Sequence, residues 1–304
     1  MCMNDIFGHS SHSSPCCHDH ALTRKPRMKS AITICLVPEA ARGPFVFHEG
    51  LSAGCQNAAD AGFDAVEIFP PSANEFPTKE LKTLLEQTSL NLAAVGTGAG
   101  WLKRRLSLTD TDPDKRREAV QFISEIIDVA AEFGAPAIIG SMQGQAGDIT
   151  QRSDSLAFLA DTLHTLGSQA ERHGQVLLYE PLNRYETNLL NTQEEAAKYL
   201  IEHSLVDSGV RLLCDLFHMN IEEQNVPETI IRLGALHTDL IGHVHWADSN
   251  RRAMGLGHTD YLAVYNALNA VRYDRYLAAE VFPLPSAIEA ASQTISSIEA
   301  STSS

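Results

Sequence analysis

The chain has 304 residues, 44% of them hydrophobic and 20% charged, a composition usual for a globular protein that buries a sizeable core. Its formal net charge is −15, from 38 acidic and 23 basic residues, and such an acidic surface argues against nucleic acid or an anionic membrane as a partner. No apolar run reaches the roughly 18 residues of a membrane-spanning helix, and no signal peptide is expected because residues 1–30 lack an apolar centre.

Residues 1–30 are polar, with Ser, His and Cys interspersed, and contain too few apolar side chains to fold alone. We predict a disordered tail there rather than a dedicated metal site. Six cysteines occur in the chain, three of them in this tail, and their spacing does not suggest a disulfide framework. The predicted location is therefore the cytoplasm, a reducing compartment.

From Ala31 onward, short apolar segments alternate with longer amphipathic ones, and this alternation predicts eight strands and eight helices. Asp112 followed by Pro113 marks one helix start, since a polar cap before a proline is typical of the first helical turn. The predicted strands are 31–37, 65–69, 91–96, 137–140, 176–180, 210–215, 241–247 and 276–281. The predicted helices are 48–61, 78–89, 113–133, 150–173, 192–203, 226–238, 260–271 and 286–299.

Strict alternation of strands and helices requires parallel strand pairing with right-handed crossovers. Eight repeats in about 270 residues predict a closed (β/α)8 barrel that forms a single α/β domain over residues 31–301. An open doubly wound sheet is disfavoured, because residues 38–44, which follow the first strand, contain no Gly-rich phosphate loop.

The last four predicted strands end in side chains that can bind a metal ion. Strands five, six, seven and eight end in Glu180, Asp215, His245 and Glu280. All strands of such a barrel end on one face, so neighbouring strands can bring these side chains to one point. Three carboxylates and one imidazole suit a divalent cation such as Mn²⁺, Mg²⁺, Co²⁺ or Zn²⁺. Zinc is less favoured, because its catalytic sites more often use several His or Cys ligands.

A metal site of this kind predicts chemistry on a substrate with adjacent oxygens, such as a hydroxy-ketone. The cation would polarise the carbonyl group and stabilise an enediolate. We predict that Glu180 and Glu280 act as acid and base, one removing a proton from carbon and the other returning it. Glu186, His218 and Arg251 follow strands five, six and seven and are predicted to bind the substrate. The alternative is that they are exposed loop charges.

Other residues near the strand ends have two interpretations each. His243 faces the same way as His245, one layer deeper, and is either a second ligand or, preferably, a buried structural histidine. Glu67 ends the second strand and is expected to do no more than cap the mouth of the barrel. Trp101 and Trp246 either line the pocket or pack in the core.

Three stretches in the second half of the chain resemble the ketose 3-epimerases, such as the D-tagatose and D-psicose 3-epimerases, a group within the xylose-isomerase-like TIM barrels. They are residues 180–186 (EPLNRYE), 215–223 (DLFHMNIEE) and 242–258, which contain HVHWADSNRR and GLGH. The resemblance implies a sugar epimerase that moves a proton at C3 through a metal-bound cis-enediolate, with Mn²⁺ as the first choice of metal and Co²⁺ as the next.

The same resemblance implies roles for individual residues. It makes Glu180, Asp215, His245 and Glu280 the metal ligands, and Glu180 and Glu280 also the acid/base pair. It makes three further residues the groups that hold the C1 and C2 oxygens of a small sugar substrate, namely Glu186, His218 and Arg251. A homodimer or homotetramer is implied as the oligomeric state.

Several activities remain open at this level. An aldose–ketose or hydroxypyruvate-type isomerase would use the same enediolate, and a lyase acting on 3-keto-glycosides would use the same base. A non-catalytic sugar-binding barrel is a further alternative. Endonuclease IV-like phosphodiester cleavage is disfavoured, because the first-half strand ends lack the histidines that a multi-zinc site needs.

Overall fold

The computed structural model describes residues 28–148 and 150–303. Residues 1–27 of the tail predicted for residues 1–30 therefore lie outside the described residues. Its last residues belong to the fold, because the first strand begins at Lys29 and Met28 is fully buried. The strand starts early since Ser30 and Asp64 exchange hydrogen bonds. The Ser30 N–H donates to Asp64 Oδ2 (2.8 Å), and the Asp64 N–H donates to Ser30 Oγ (3.1 Å).

Eight parallel strands form a closed barrel in sequence order, which confirms the predicted (β/α)8 fold. The last strand pairs with the first, where Ala278 lies opposite Ala31. The strands are β1 (Lys29–Cys35), β2 (Ala65–Phe69), β3 (Asn91–Gly96), β4 (Ala137–Ile139), β5 (Leu177–Tyr179), β6 (Val210–Asp215), β7 (Ile241–His245) and β8 (Tyr276–Ala279).

Ten α-helices occur within the described part of the chain. Eight of them correspond to the predicted helices, with ends that differ by a few residues. Two short helices, α3 (Ala99–Arg104) and α7 (Leu216–Glu222), were not predicted, because one or two helical turns show too little of the apolar repeat. The helices are α1 (Leu51–Ala61), α2 (Thr78–Thr88), α3 (Ala99–Arg104), α4 (Pro113–Ala131), α5 (Arg152–Arg172), α6 (Gln193–Glu202), α7 (Leu216–Glu222), α8 (Val226–Leu236), α9 (Tyr261–Ala270) and α10 (Ala287–Thr302).

Side-chain caps fix where several helices begin. The Asp112 side chain accepts a hydrogen bond from the Asp114 N–H (2.9 Å), and Pro113 is the first residue of α4, as predicted. Thr192 and Glu195 form a capping box at the start of α6, each side chain accepting from the other residue's N–H. These caps fix the first residue of each helix and therefore also fix where the loop before that helix ends.

Apolar side chains close the barrel interior below the strand ends. Two clusters consist mainly of strand residues: Ala31, Ala65, Ala93 and Ala278 in one, and Ala94, Ile138, Leu178 and Leu213 in the other. The interior is therefore a packed core, and the space for a ligand lies at the carboxyl-terminal ends of the strands. No helix in the described part of the chain is both long and apolar enough to cross a membrane.

Candidate metal and active site

The four predicted ligand residues meet at the carboxyl-terminal end of the barrel. Asp215 and His245 are the last residues of β6 and β7, and Glu180 and Glu280 directly follow β5 and β8. The distances from His245 Nδ1 are 3.6 Å to Glu180 Oε1, 3.4 Å to Asp215 Oδ2 and 3.6 Å to Glu280 Oε2. One potential ligand atom from each residue lies within 4.8 Å of the others.

Three of the facing atoms are buried without a hydrogen-bond partner among the described residues, namely Glu180 Oε1, Asp215 Oδ2 and His245 Nδ1. Buried polar atoms are normally paired, and three such atoms aimed at one point are what a bound cation would satisfy. Carboxylate oxygens together with an imidazole nitrogen form a ligand set that Mn²⁺, Co²⁺ or Zn²⁺ accepts. The residues present therefore fit a divalent metal ion.

Burial and charge shift the pKa values of these carboxylates in different directions. Burial raises the pKa of Glu180 to about 8, against the attraction of His245. Burial also raises the pKa of Glu280. At Asp215 the effect of burial is outweighed by His218, His245 and Arg251, so the pKa of Asp215 lies below its usual range. Three carboxylates this close together favour a bound positive charge.

The loop after β4 holds Glu180 in position. Gln143 Nε2 donates to the Glu180 carbonyl oxygen (2.9 Å), and Gln143 Oε1 accepts from the Tyr179 hydroxyl (2.6 Å). A Cβ at Gly140 would lie 2.5 Å from Glu180 Oε2, so the carboxylate fits because residue 140 has no side chain. Sequence analysis missed Gln143 and Gly140, since their contacts run between neighbouring strands rather than along the chain.

His218 lies beside the cluster with a defined tautomer. The Asn183 backbone N–H donates to His218 Nδ1 (3.3 Å), and the Asn183 side-chain amide nitrogen lies 2.7 Å from the same atom. Since Nδ1 is an acceptor, the proton is on Nε2, which lies 3.7 Å from Glu180 Oε1 and 3.6 Å from Asp215 Oδ2. Burial lowers the pKa of His218, which favours this neutral ring. Asn183, also missed by sequence analysis, therefore orients a hydrogen-bond donor toward the cleft.

Arg251 reaches the cluster from the loop after β7. Its Nη2 donates to Glu280 Oε2 (2.7 Å), and its Nη1 lies 3.7 Å from Glu186 Oε1. The guanidinium carbon lies 4.7 Å from the centre of the Phe217 ring. The three predicted substrate-binding residues line the same cavity as the carboxylate cluster. Arg251 lies between Glu186 and Glu280.

Asp248 organises the loop that carries Arg251. Its carboxylate accepts hydrogen bonds of 2.7 to 3.0 Å from four backbone N–H groups, those of Ser249, Gly255, Gly257 and Thr259. Burial opposes ionisation of Asp248, but these donors hold its pKa below the usual range. The Arg251 N–H in turn donates to the Asp248 carbonyl oxygen (2.8 Å). An ionised carboxylate thus fixes the loop on which the guanidinium depends.

Glu67 bridges two imidazoles behind the cluster. Its Oε2 lies 3.0 Å from His243 Nε2 and 3.5 Å from His245 Nε2, while the Thr33 hydroxyl donates to its Oε1 (3.3 Å). Burial opposes ionisation of Glu67, but His245 and His243 hold its pKa below the usual range. A carboxylate here favours a proton on His245 Nε2.

The structure therefore shows which groups surround Glu67 and His243, and these contacts decide between the interpretations that the sequence left open. Glu67 is 3% exposed and faces inward, so the expectation that it does no more than cap the mouth of the barrel is wrong. Glu67, His243 and His245 could themselves hold an ion. Because Glu67 and His243 are already hydrogen-bonded to each other, we favour the structural interpretation of His243.

The two tryptophans have different surroundings. Trp101, on α3, is half-buried and lines the cavity above the cluster, as one of its two interpretations predicted. Trp246 is fully buried and donates from Nε1 to Ser297 Oγ on α10 (2.9 Å). Trp246 therefore packs in the core, and the pocket interpretation is wrong for it.

A cavity of about 350 Å³ opens above the carboxylate cluster. Its lining includes the polar residues described above and a set of apolar side chains, namely Phe45, Phe69, Trp101, Leu102 and Leu182. A concave site with an apolar wall and a few converging polar groups is the usual form of a small-molecule binding site.

The sequence model of the xylose isomerase-like TIM barrel family matches residues 55–298. The chain belongs to this family. The match extends from α1 to α10 and includes all four residues of the cluster, so family membership, which the second-half motifs predicted, is confirmed.

Sugar epimerases are among the relatives of this xylose isomerase-like barrel. A 3-dehydro-D-guloside 4-epimerase of Escherichia coli (strain K12) is 32% identical over 73% of this chain and 83% of the relative. A ketose 3-epimerase of Arthrobacter globiformis is 29% identical over 77% of this chain and 78% of the relative.

Solved structures of other proteins show the same barrel. A D-allulose 3-epimerase of Methylomonas sp. in complex with D-allulose has a TM-score of 0.74 at 22% identity, covering 90% of this chain and 97% of that one. A 3-keto-D-glucoside 4-epimerase of E. coli also has a TM-score of 0.74, at 24% identity, covering 90% of this chain and all of the other. At these identities the structural likeness shows the fold alone.

Proposed function

We propose that the protein is a metal-dependent sugar epimerase that inverts a carbon next to a ketone through an enediolate, with C3 of a ketose or keto-sugar as the reacting carbon. The observation that carries this proposal is the buried group of three carboxylates and one imidazole at the ends of β5 to β8. The relatives support it, because those named above are epimerases of ketoses or of keto-sugar glycosides.

Glu180 and Glu280 are the proposed acid/base pair. They follow β5 and β8, and both lie 3.6 Å from His245 Nδ1, on strands separated by β6 and β7. A carbon held between them can lose a proton to one carboxylate and regain a proton from the other on its opposite face. The configuration of that carbon then inverts, and the reverse reaction exchanges the two roles.

His218 and Arg251 are proposed to hold the oxygens next to the reacting carbon. The proton on His218 Nε2 points into the cleft, and the Arg251 guanidinium carries a fixed positive charge beside Glu280. Both groups donate hydrogen bonds to an oxygen that gains negative charge when the neighbouring carbon loses its proton. Glu186 lies within reach of His218 and Arg251, so it can accept from a sugar hydroxyl group.

Glu180, Asp215, His245 and Glu280 are the proposed metal ligands, and Mn²⁺ is the proposed ion. Such an ion supplies a Lewis acid that polarises the ketone. Glu67 is proposed to keep the His245 ring in the tautomer that leaves Nδ1 available. The chain's own groups bind the sugar, orient it and move the proton.

The proposal is tested by incubating the protein in deuterated water with Mn²⁺ and a panel of ketoses, ketose phosphates and 3-keto-glycosides. An epimerase incorporates deuterium at one carbon next to the ketone and forms both epimers, as NMR detects. An isomerase places the label on a different carbon, and a lyase releases the aglycone. Sugar binding without exchange in any metal would favour a non-catalytic barrel and reject the proposal.

We also propose a cytoplasmic location and assembly as a homodimer or homotetramer. The three cysteines in the described residues, Cys35, Cys55 and Cys214, are free and buried, which suits a reducing compartment. Light scattering coupled to size-exclusion chromatography measures the oligomeric state directly.

A further inference from the structure

The cleft above the cluster has a second lobe. Beside the central cavity of about 350 Å³ lies a side lobe of about 230 Å³. The side lobe is lined by Trp101, Ser141, Gly144, Gln145, Leu182 and Glu186. Four of these residues also line the central cavity, so the two lobes lie side by side and share one wall.

We propose that the side lobe binds an uncharged group attached to the reacting sugar, so that the substrate is a keto-glycoside rather than a free ketose. The reacting carbon is C3 in a free ketose, whereas in a 3-keto-glycoside it is C2 or C4, next to the ketone. The proposal rests on the proposed function, because it places the reacting sugar at the carboxylate cluster. It adds a second binding site and the class of group that occupies it.

The size of the cleft favours a substrate with two parts. Binding sites of about 300 to 1,000 Å³ bury most of a drug-sized ligand. The central cavity alone, at about 350 Å³, is at the low end of that range and is sufficient for one sugar ring. A free ketose would therefore leave the side lobe, about 230 Å³, filled with water.

The lining of the side lobe matches a neutral, partly polar group. Trp101 and Leu182 provide apolar surface, while Ser141, Gln145 and Glu186 provide groups that hydrogen-bond to hydroxyls. A sugar ring or an aromatic aglycone offers both kinds of surface. The apolar and polar walls thus suit a second ring better than a single small substituent.

Charge excludes an anionic group from this lobe. None of the described residues that line it is Lys, Arg or His, and Glu186 adds a carboxylate. A phosphate placed there would meet repulsion rather than a partner. A sugar phosphate would have to place its charge elsewhere, near Arg42, which is exposed and lines the central cavity.

Gln145 offers a way to fill the side lobe without touching the carboxylate cluster. It is exposed, it lines the side lobe, and it is absent from the lining of the central cavity. Its Nε2 donates to the Glu186 carbonyl oxygen (2.7 Å). A tryptophan at position 145 would occupy the lobe, whereas Gln121→Trp on the exposed face of α4 makes the same change far from the lobe.

The experiment compares four probes with the Mn²⁺-loaded protein: phenyl 3-keto-glucoside, methyl 3-keto-glucoside, D-fructose and D-fructose 6-phosphate. Deuterium exchange gives kcat/KM, and isothermal titration calorimetry gives Kd. A phenyl ring has five more non-hydrogen atoms than a methyl group, each worth about 0.3 kcal/mol, so the phenyl probe should exceed the methyl probe by about 10-fold. Gln145→Trp should remove this advantage, so that the phenyl and methyl probes are used equally, whereas Gln121→Trp should leave the ratio between the two probes unchanged.

Three results would overturn the proposal. They are equal use of phenyl and methyl probes, a phenyl advantage that persists in Gln145→Trp, and a preference for D-fructose or D-fructose 6-phosphate. Thermal unfolding of both variants checks that each is folded. Absence of exchange with every probe would reject the epimerase function. The calorimetric comparison of the phenyl and methyl probes would then still show whether the side lobe binds the attached ring.

Discussion

Replacing Glu67 with Gln tests whether the residue behind the cluster controls the metal site. Glu67 makes no direct contact with the proposed ion position, but its Oε2 lies between His243 Nε2 and His245 Nε2, at 3.0 and 3.5 Å. A carboxylate can only accept hydrogen bonds, so it favours a proton on both facing nitrogens. The amide of Gln can also donate, so the preference for one His245 tautomer is lost.

The expected size of the effect follows from this geometry. Loss of a carboxylate that orients a metal-binding histidine costs about 10- to 100-fold in metal affinity, or roughly 1.4 to 2.8 kcal/mol. The amide keeps the shape of the carboxylate and can still accept from the Thr33 hydroxyl. The barrel should therefore stay folded, and the loss should appear in metal binding.

Calorimetric titration of the metal-free protein with Mn²⁺ measures the affinity, and ¹⁵N NMR of labelled histidine reports the His245 tautomer. Glu86→Gln on the exposed face of α2 is the matched control. Metal analysis also separates two interpretations of Glu67. One ion per chain indicates that Glu67 positions the His245 ring, whereas two ions per chain would indicate that Glu67 belongs to a second metal site. The reasoning is refuted if Glu67→Gln binds Mn²⁺ within twofold of the unchanged protein and keeps its tautomer.

Three further predictions concern the cluster and its supporting loop. Glu180→Gln and Glu280→Gln should each lower kcat by about 10²- to 10⁴-fold in the exchange assay, and full activity of either variant would remove that residue from the acid/base pair. EDTA should abolish exchange and lower the Tm, and Mn²⁺ at 100 times its Kd should restore about 2.7 kcal/mol of stability. Asp248→Asn should cost about 1 to 3 kcal/mol in urea unfolding. Because the folded-state pKa of Asp248 is lowered, its stabilisation is present above the unfolded pKa of about 3.9 and is lost as the pH falls through the folded value. The free energy of unfolding of the Asn variant should therefore fall less steeply as the pH is lowered.

The fold and the main cluster could be predicted because both depend on features that are local in the sequence. An apolar run that ends at Pro181 shows where β5 stops, and the residue just before it is then Glu180 at the open face. The same reasoning applies at Asp215 and His245. Barrel topology then converts four separate strand ends into one site, without knowledge of any side-chain contact.

The supporting residues could not be predicted because their contacts are distant in the sequence. His243 and Glu67 are 176 residues apart, and Asn183 and His218 are 35 apart. A lone glutamate at a strand end is common, and its direction depends on the rotamer that its neighbours allow. Sequence patterns show which residues reach the open face, whereas the pairs formed there depend on packing across the barrel.

The proposed acid/base pair and the residues that line the side lobe belong largely to different parts of the chain. Glu180 and Glu280 follow β5 and β8, whereas Trp101 lies on α3 after β3, and Ser141 and Gln145 follow β4. Saturation libraries at positions 101, 141 and 145 can therefore reshape the side lobe while the proposed acid/base pair stays unaltered. This separation makes the barrel a practical starting point for directed evolution of substrate selectivity.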